Sequence, residues 1–134
     1  MISLTISTDR RVCLVDVTAQ VADALAGCGL RDGVLLVYVP HTTAGVTINE
    51  SADPSVRHDI EMTLARLVPD DLAFTHLEGN SDAHLKAALV GSSVSVPVHE
   101  GRLALGTWQG LFFAEFDGPR RRRLLVQALG AAGG

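Results

Sequence analysis

Apolar and polar residues come close to alternating over positions 4–8 and again over 12–17, with Asp9-Arg10-Arg11 between the two runs. A period of two interrupted by polar residues predicts two antiparallel strands joined as a hairpin. From Thr18 onward the pattern changes, because Val21, Ala24, Leu25 and Cys28 recur at helical spacing. The chain is expected to form a helix capped by Thr18, running to about Gly27, ended by Gly29 and packed on the sheet. Positions 33–40 are almost continuously apolar, as in a central strand covered on both sides, and Pro40, which has no amide hydrogen, stops it. His41-Thr42-Thr43 therefore falls at a strand end. Strand composition returns at 44–50. Asp53-Pro54 then opens a second helix in the favoured order of cap and first-turn proline, with Val56, Ile60, Leu64 and Leu67 as its buried stripe and Pro69-Asp70-Asp71 as its end.

The last third of the chain is read in the same way. Residues 83–90 are good helix sequence with Asp82 as cap and Gly91 as terminator, which places His84 in a first helical turn. Positions 93–98 alternate, Glu100-Gly101 makes a turn, and strands are expected at 102–105, 107–116 and about 122–129, with a frayed tail at 131–134. Strand pairs interrupted by helices predict one α+β domain over residues 1–134, a largely antiparallel sheet with its helices packed on one side.

Composition narrows the classes. At 134 residues, with 47% hydrophobic and 19% charged side chains, the chain is long enough for one core and too apolar to be disordered. No apolar run approaches the ~20 residues of a membrane helix. Met1-Ile2-Ser3-Leu4 leads straight into alternating sequence without a secretory signal, so a soluble, cytoplasmic protein with no membrane partner is expected. Cys13 and Cys28 are read as small buried apolar residues, not as a disulfide. A net charge of −4, one tryptophan and one tyrosine argue against a nucleic-acid partner, which would call for a cationic face or stacking rings.

Chemistry concentrates at residues 76–84, where His76, Glu78, Asn80, Asp82 and His84 crowd around Gly79. Neutral imidazole is the commonest protein ligand for zinc-like ions, and Gly79 and Asn80 tolerate the positive φ that would fold the loop back on itself. His41 closes one strand and Glu50 the next, so both are expected to reach this loop if the strands are neighbours. Three histidines with an open fourth position would resemble a catalytic zinc centre. The plain alternative for His41 is a half-exposed turn histidine. Glu78 and Asp82 suit carboxylates that orient an imidazole, although Asp82 also suits a helix cap. Glu50, ahead of Asp59, is the candidate general base or further ligand, against surface or salt-bridge roles for both. His58 and His99 read as solvated.

Asp117-Gly118-Pro119 precedes four arginines. On a strand, Arg120 and Arg122 would share one face and Arg121 and Arg123 the other, so one pair could hold a phosphate. A charged edge strand or an inter-subunit salt bridge is the commoner use of such a run. Trp108, bracketed by Gly106 and Gly110, is expected in a pocket wall, a subunit contact or the core.

The segments 40–45, 48–50, 78–80 with His84, 101–110 and 115–120 resemble, in order and spacing, the successive motifs of the YjbQ family, the secondary thiamine-phosphate synthases. The resemblance covers nearly the whole chain, and the glycine-tryptophan block is its most specific part. It implies a compact α+β fold assembled as a homotrimer, with a divalent metal, usually taken as zinc, near the histidines. By matched position it implies His41, His76 and His84 as metal ligands, Glu50, Asp59 and Asp82 near the metal as catalytic carboxylates, and Asn80, Gln109 and Arg120 at the substrate. The implied reaction joins a pyrimidine pyrophosphate to a thiazole phosphate with loss of pyrophosphate, as a weak activity that is either the main or a side reaction. The alternative expectation is a trimeric metal-containing protein that binds a small anionic ligand without turnover. A third is a purely structural metal on the trimer axis.

Overall fold

The computed structural model describes residues 1–71, 74–75 and 79–130. Among these residues eight strands and three helices follow in the order β1 (Ile2–Ser7), β2 (Cys13–Asp16), α1 (Thr18–Cys28), β3 (Gly33–Tyr38), β4 (Ala44–Glu50), α2 (Pro54–Leu67), α3 (Ser81–Val90), β5 (Ser93–His99), β6 (Arg102–Leu103), β7 (Gln109–Glu115) and β8 (Arg121–Gly130). The domain is α+β and every strand pair is antiparallel, as expected. The strands form two sheets where one was expected, a five-stranded sheet in the order β1-β8-β3-β5-β6 and a three-stranded sheet in the order β2-β7-β4.

The expected β1/β2 hairpin does not form. β1 pairs with β8 and β2 with β7, because Ile6 and Leu14 bury themselves in different apolar clusters. Residues 9–12 carry the chain from one sheet to the other. Gly118 closes this corner, since a Cβ there would lie 2.3 Å from the Arg10 carbonyl oxygen.

The main core lies between the two sheets. Leu35, Val37, Leu124 and Val126 from the larger sheet meet Val46, Leu111 and Phe113 from the smaller one, and Val21 and Leu25 of α1 join them. Along β7 the alternate residues Phe112 and Ala114 point the other way, into a second cluster with Ala83 and Ala87 of α3 and Ile60 and Leu64 of α2. β7 is thus the strand covered on both faces. β3, expected in that role, is central in its sheet, yet Val34 and Tyr38 stay exposed on its outer face. The helices are also divided: α2 and α3 cover the smaller sheet, and α1 enters the main core.

Local signals place most element ends. Asp53 caps α2, its carboxylate accepting from the Ser55 amide at 2.9 Å. Gly29, at φ 72°, ends α1 and returns its amide to the Leu25 carbonyl. Some details differ from expectation. Val17, not Thr18, occupies the cap position of α1, while the Thr18 hydroxyl accepts the Leu111 amide at 2.9 Å. Asn80 precedes α3 and Asp82 lies within its first turn without capping it. The expected buried stripe of α2 is only half-buried at Val56, Ile60 and Leu64, and Leu67 is 66% exposed. Both cysteines are free thiols, as expected, and Cys13 is buried, but Cys28, expected to be buried, is exposed at the end of α1. No described helix is long and apolar enough to cross a membrane.

Candidate functional site

The site forms where the chain passes from the larger sheet to the smaller. β3 pairs with β8 as far as Tyr38 opposite Leu125, and Pro40 then turns the chain away toward β4. β8 outlasts its neighbour, so its next inward-facing amide, that of Arg123, has no strand partner on that side. The Nε2 of His41 accepts this amide at 2.9 Å. A backbone N–H can only donate, so Nε2 carries no proton and the neutral ring holds its hydrogen on Nδ1. Burial lowers the His41 pKa, and the nearby positive charges of Arg122 and Arg123 lower it further.

Beside His41 lies a buried ion pair. Glu115, fully buried at the end of β7, accepts from Arg122 Nε at 2.9 Å, again from Arg122 Nη2, from the Thr8 hydroxyl at 2.8 Å and from the Phe116 and Asp117 amides at 3.1 Å. Burial alone would raise its pKa, but the hydrogen bonds and charge of Arg122, with those of Thr8 and Asp117, hold it below the usual carboxylate range. Arg122 Nη2 also reaches the Thr43 hydroxyl at 2.8 Å. Asp117 makes a second pair at the rim, receiving Asn80 Nδ2 at 3.0 Å and Arg120 Nη2 at 2.9 Å. Its burial is likewise outweighed by Asn80 and Arg120, and its pKa is lowered.

These groups surround an open polar cavity of about 370 Å³ whose walls include His41, His84, Asn80, Asp117, Arg120 and Arg122. A second cavity of about 310 Å³ shares His41 and His84 and is lined beyond them by Ala44, Ala87, Ala88 and Gly91. The alternation expected of the arginines holds: Arg120 and Arg122 reach the cavity, whereas Arg121 and Arg123 are exposed.

The remaining expected site residues are dispersed. Asp82 is buried and bonded at 2.9 Å to both Lys86 Nζ and Arg11 Nη2. Burial opposes its charge, but the two cations prevail and lower its pKa. It fastens α3 to the chain before β2. Glu50 ends β4 opposite Gln109, six residues beyond Ala44, or about 20 Å at the usual strand rise. β3 and β4 belong to different sheets and Glu50 stands at the end of β4 far from His41; the part of the histidine loop at His76 and Glu78 lies outside the described residues. Gln109 accepts the Gly106 amide at 2.8 Å and closes the turn that carries Trp108, which is 64% exposed and so not a core residue. Asp59 is exposed on α2 beside an apolar groove lined by Val56, Ile60 and Leu64. His76 and Glu78 lie outside the described residues. Among those described, no three metal-ligating side chains converge.

Sequence reasoning missed Glu115, Lys86 and Arg11. The readable signal for Glu115 was a carboxylate inside the apolar run 111–116, which demands a buried cation.

A family model described as UPF0047 protein YjbQ-like matches residues 2–131. The chain belongs to the YjbQ-like UPF0047 family. A UPF0047 protein of Methanocaldococcus jannaschii is 55% identical over 125 residues, 93% of this chain and 91% of the relative. YugU, a UPF0047 protein of Bacillus subtilis, is 45% identical over 96% of this chain and 98% of its own length. The crystal structure of an uncharacterized YjbQ/UPF0047 protein from Clostridium acetobutylicum superposes with a TM-score of 0.94 at 45% identity, covering 96% of this chain and all of that one. In this UPF0047 chain the family-like motifs occupy two places: His41, Asn80, His84, Asp117 and Arg120 at the cavity, and Glu50, Trp108 and Gln109 at the opposite end of the smaller sheet.

For a zinc-like ion the donor chemistry is mixed. His84 lines the cavity and is an imidazole of the right kind. His41 as it stands does not fit a cation, since Nε2 is filled, Nδ1 is protonated and two guanidinium groups lie close by.

Proposed function

We propose that the cavity binds a small phosphorylated molecule and that the protein is a transferase resembling secondary thiamine-phosphate synthase. It would join a pyrimidine pyrophosphate to a thiazole phosphate and release pyrophosphate, either as its main or as a side activity. The observation that carries this reading is the convergence of Arg120, Arg122, His41, His84 and Asn80, from distant parts of the chain, on one open cavity. The described bonds use Nε and Nη2 of both arginines, so their Nη1 edges remain to steady phosphate oxygens or a departing pyrophosphate. A divalent ion, zinc by resemblance, is proposed at His84 together with His76, where it would supply Lewis-acid stabilisation of a leaving group. The protein is proposed to act in the cytoplasm as a homotrimer. Support for self-association comes from Val34, Tyr38 and Leu129, which are 37%, 43% and 54% exposed on one face of the larger sheet.

A second reading, a binding protein without turnover, is favoured by one specific observation. The described carboxylates at the cavity and beside its arginines, Asp117 and Glu115, are bound by cations and held in the ionised form, and so is the expected catalytic Asp82 on α3, which makes each a poor proton carrier. Metal analysis of untagged protein, followed by incubation with the two thiamine precursors, separates the readings. The transferase reading expects bound metal and product that disappears in a folded His84→Ala variant; metal without product at any enzyme concentration favours the binder.

A further inference from the structure

The role of His41 can be taken further, on the reading that the cavity receives an anion. The fold settles the protonation of this ring. Because Pro40 ends β3 while β8 continues, the Arg123 amide needs an acceptor, and His41 Nε2 provides it at 2.9 Å. Protonating Nε2 would set two donors against each other, so Nδ1–H is the tautomer the backbone selects. The electrostatic surroundings agree. Burial comes first, Arg122 and Arg123 add to it, and the Glu115 charge opposes them without reversing the direction. A neutral N–H donor in such surroundings suits an anion, whereas a divalent cation there would meet two like charges and no bare nitrogen.

We propose that His41 is a neutral, tautomer-locked hydrogen-bond donor to the anionic group of the ligand, acting with Arg120 and Arg122, and is not a metal ligand. The anion class is phosphate or pyrophosphate, whose several oxygens match donors arriving from two guanidinium edges and one imidazole. Any cation the cavity holds is then bound away from Nε2 of His41, toward α3.

The test uses full-length protein labelled with ¹⁵N and two-bond correlation spectra of the histidine rings. In the wild type, His41 is expected to show a protonated Nδ1 and a bare Nε2. Inorganic pyrophosphate should shift the Nδ1 proton downfield, and zinc ions alone should leave the His41 pattern in place. A zinc-induced loss of the Nδ1 proton, or a bare Nδ1 in the metal-free protein, would overturn the proposal. Two variants add binding constants. His41→Leu is expected to weaken pyrophosphate about ten-fold, the worth of one hydrogen bond to a charged group, with zinc affinity unchanged within about two-fold. His41→Gln, whose side-chain oxygen can still accept the Arg123 amide and whose amino group can donate, should recover part of the loss. Zinc affinity that collapses in both variants, or pyrophosphate affinity equal to wild type in both, sinks the assignment. Its fate is separable from that of the transferase reading. Product formation with wild-type pyrophosphate affinity in His41→Leu would remove the donor role alone, and weakened pyrophosphate binding in a protein that makes no product would keep it.

Discussion

Glu115 receives hydrogen bonds from four residues, Thr8, Phe116, Asp117 and Arg122, and Arg122 opposite it is 5% exposed. Removing the charge of one buried partner leaves the other uncompensated, which is far costlier than losing a surface pair. Glu115→Gln is therefore expected to destabilise the fold by about 3 kcal/mol or more, read from urea denaturation midpoints at constant slope. The sign of the pH dependence follows from the same residues. Glu115, Asp82 and Asp117 have folded pKa values below their ordinary ones, so their contribution is complete above the unfolded carboxylate range near ~4 and is lost as pH falls through the folded values. Unfolding free energy should be flat in these groups above about pH 5 and fall on acidification below about pH 4. In Glu115→Gln that acid slope should be shallower; an unchanged slope would show that the carboxylate does not titrate with folding.

At the scale of elements, the site depends on how closely α3 approaches β4. Gly45 permits the contact: a Cβ there would lie 2.5 Å from the Gly91 carbonyl oxygen and 3.1 Å from Val90 Cγ1. That same carbonyl accepts the Val46 amide at 3.1 Å, so the end of the helix is bonded to the strand. Gly45→Ala must push the helix end away, and a loss of about 1–3 kcal/mol is expected from overpacking. Because His84 rides on α3 and His41 on the segment leading into β4, the variant should also weaken pyrophosphate binding. Thermal denaturation and a pyrophosphate titration of the same sample check both effects. Asp82, in the first turn of α3, is bonded to Lys86 and Arg11, so a residue expected to cap the helix instead ties it to the segment before β2.

The whole molecule is layered, with the larger sheet, main core, smaller sheet, second cluster and helices α2 and α3 in succession. The larger sheet leaves an apolar outer face, with Val34 opposite Leu129 and Tyr38 opposite Leu125 in register. Covering that face with further copies of the chain would give β3 the two-sided burial that its sequence calls for. Light scattering on wild-type protein is expected to give the mass of a trimer, and Val34→Lys with Leu129→Lys to give a folded monomer. A wild-type monomer at high concentration would remove the oligomer from the functional proposal. In one chain Glu50 and Gln109 stand at the far end of the smaller sheet from His41.

By itself the sequence determined the things that depend on neighbours a few residues apart. Periods of two and of about 3.6 located the strands and helices, Pro40 and Gly29 marked where two of them stop, and the arginine alternation assigned Arg120 and Arg122 to one face. Those signals arise from local backbone preference and side-chain direction, which do not need the rest of the chain. Only the tertiary structure decided which strands pair, since Ile6 of β1 and Leu14 of β2 are buried in different clusters, beside the distant strands β8 and β7. It also decided the chemistry of His41, because the amide that fixes its tautomer belongs to a residue 82 positions away. Hydrogen-bond partners and local charge act over a few ångströms of space, and no spacing along the chain encodes which residues the fold will bring that close.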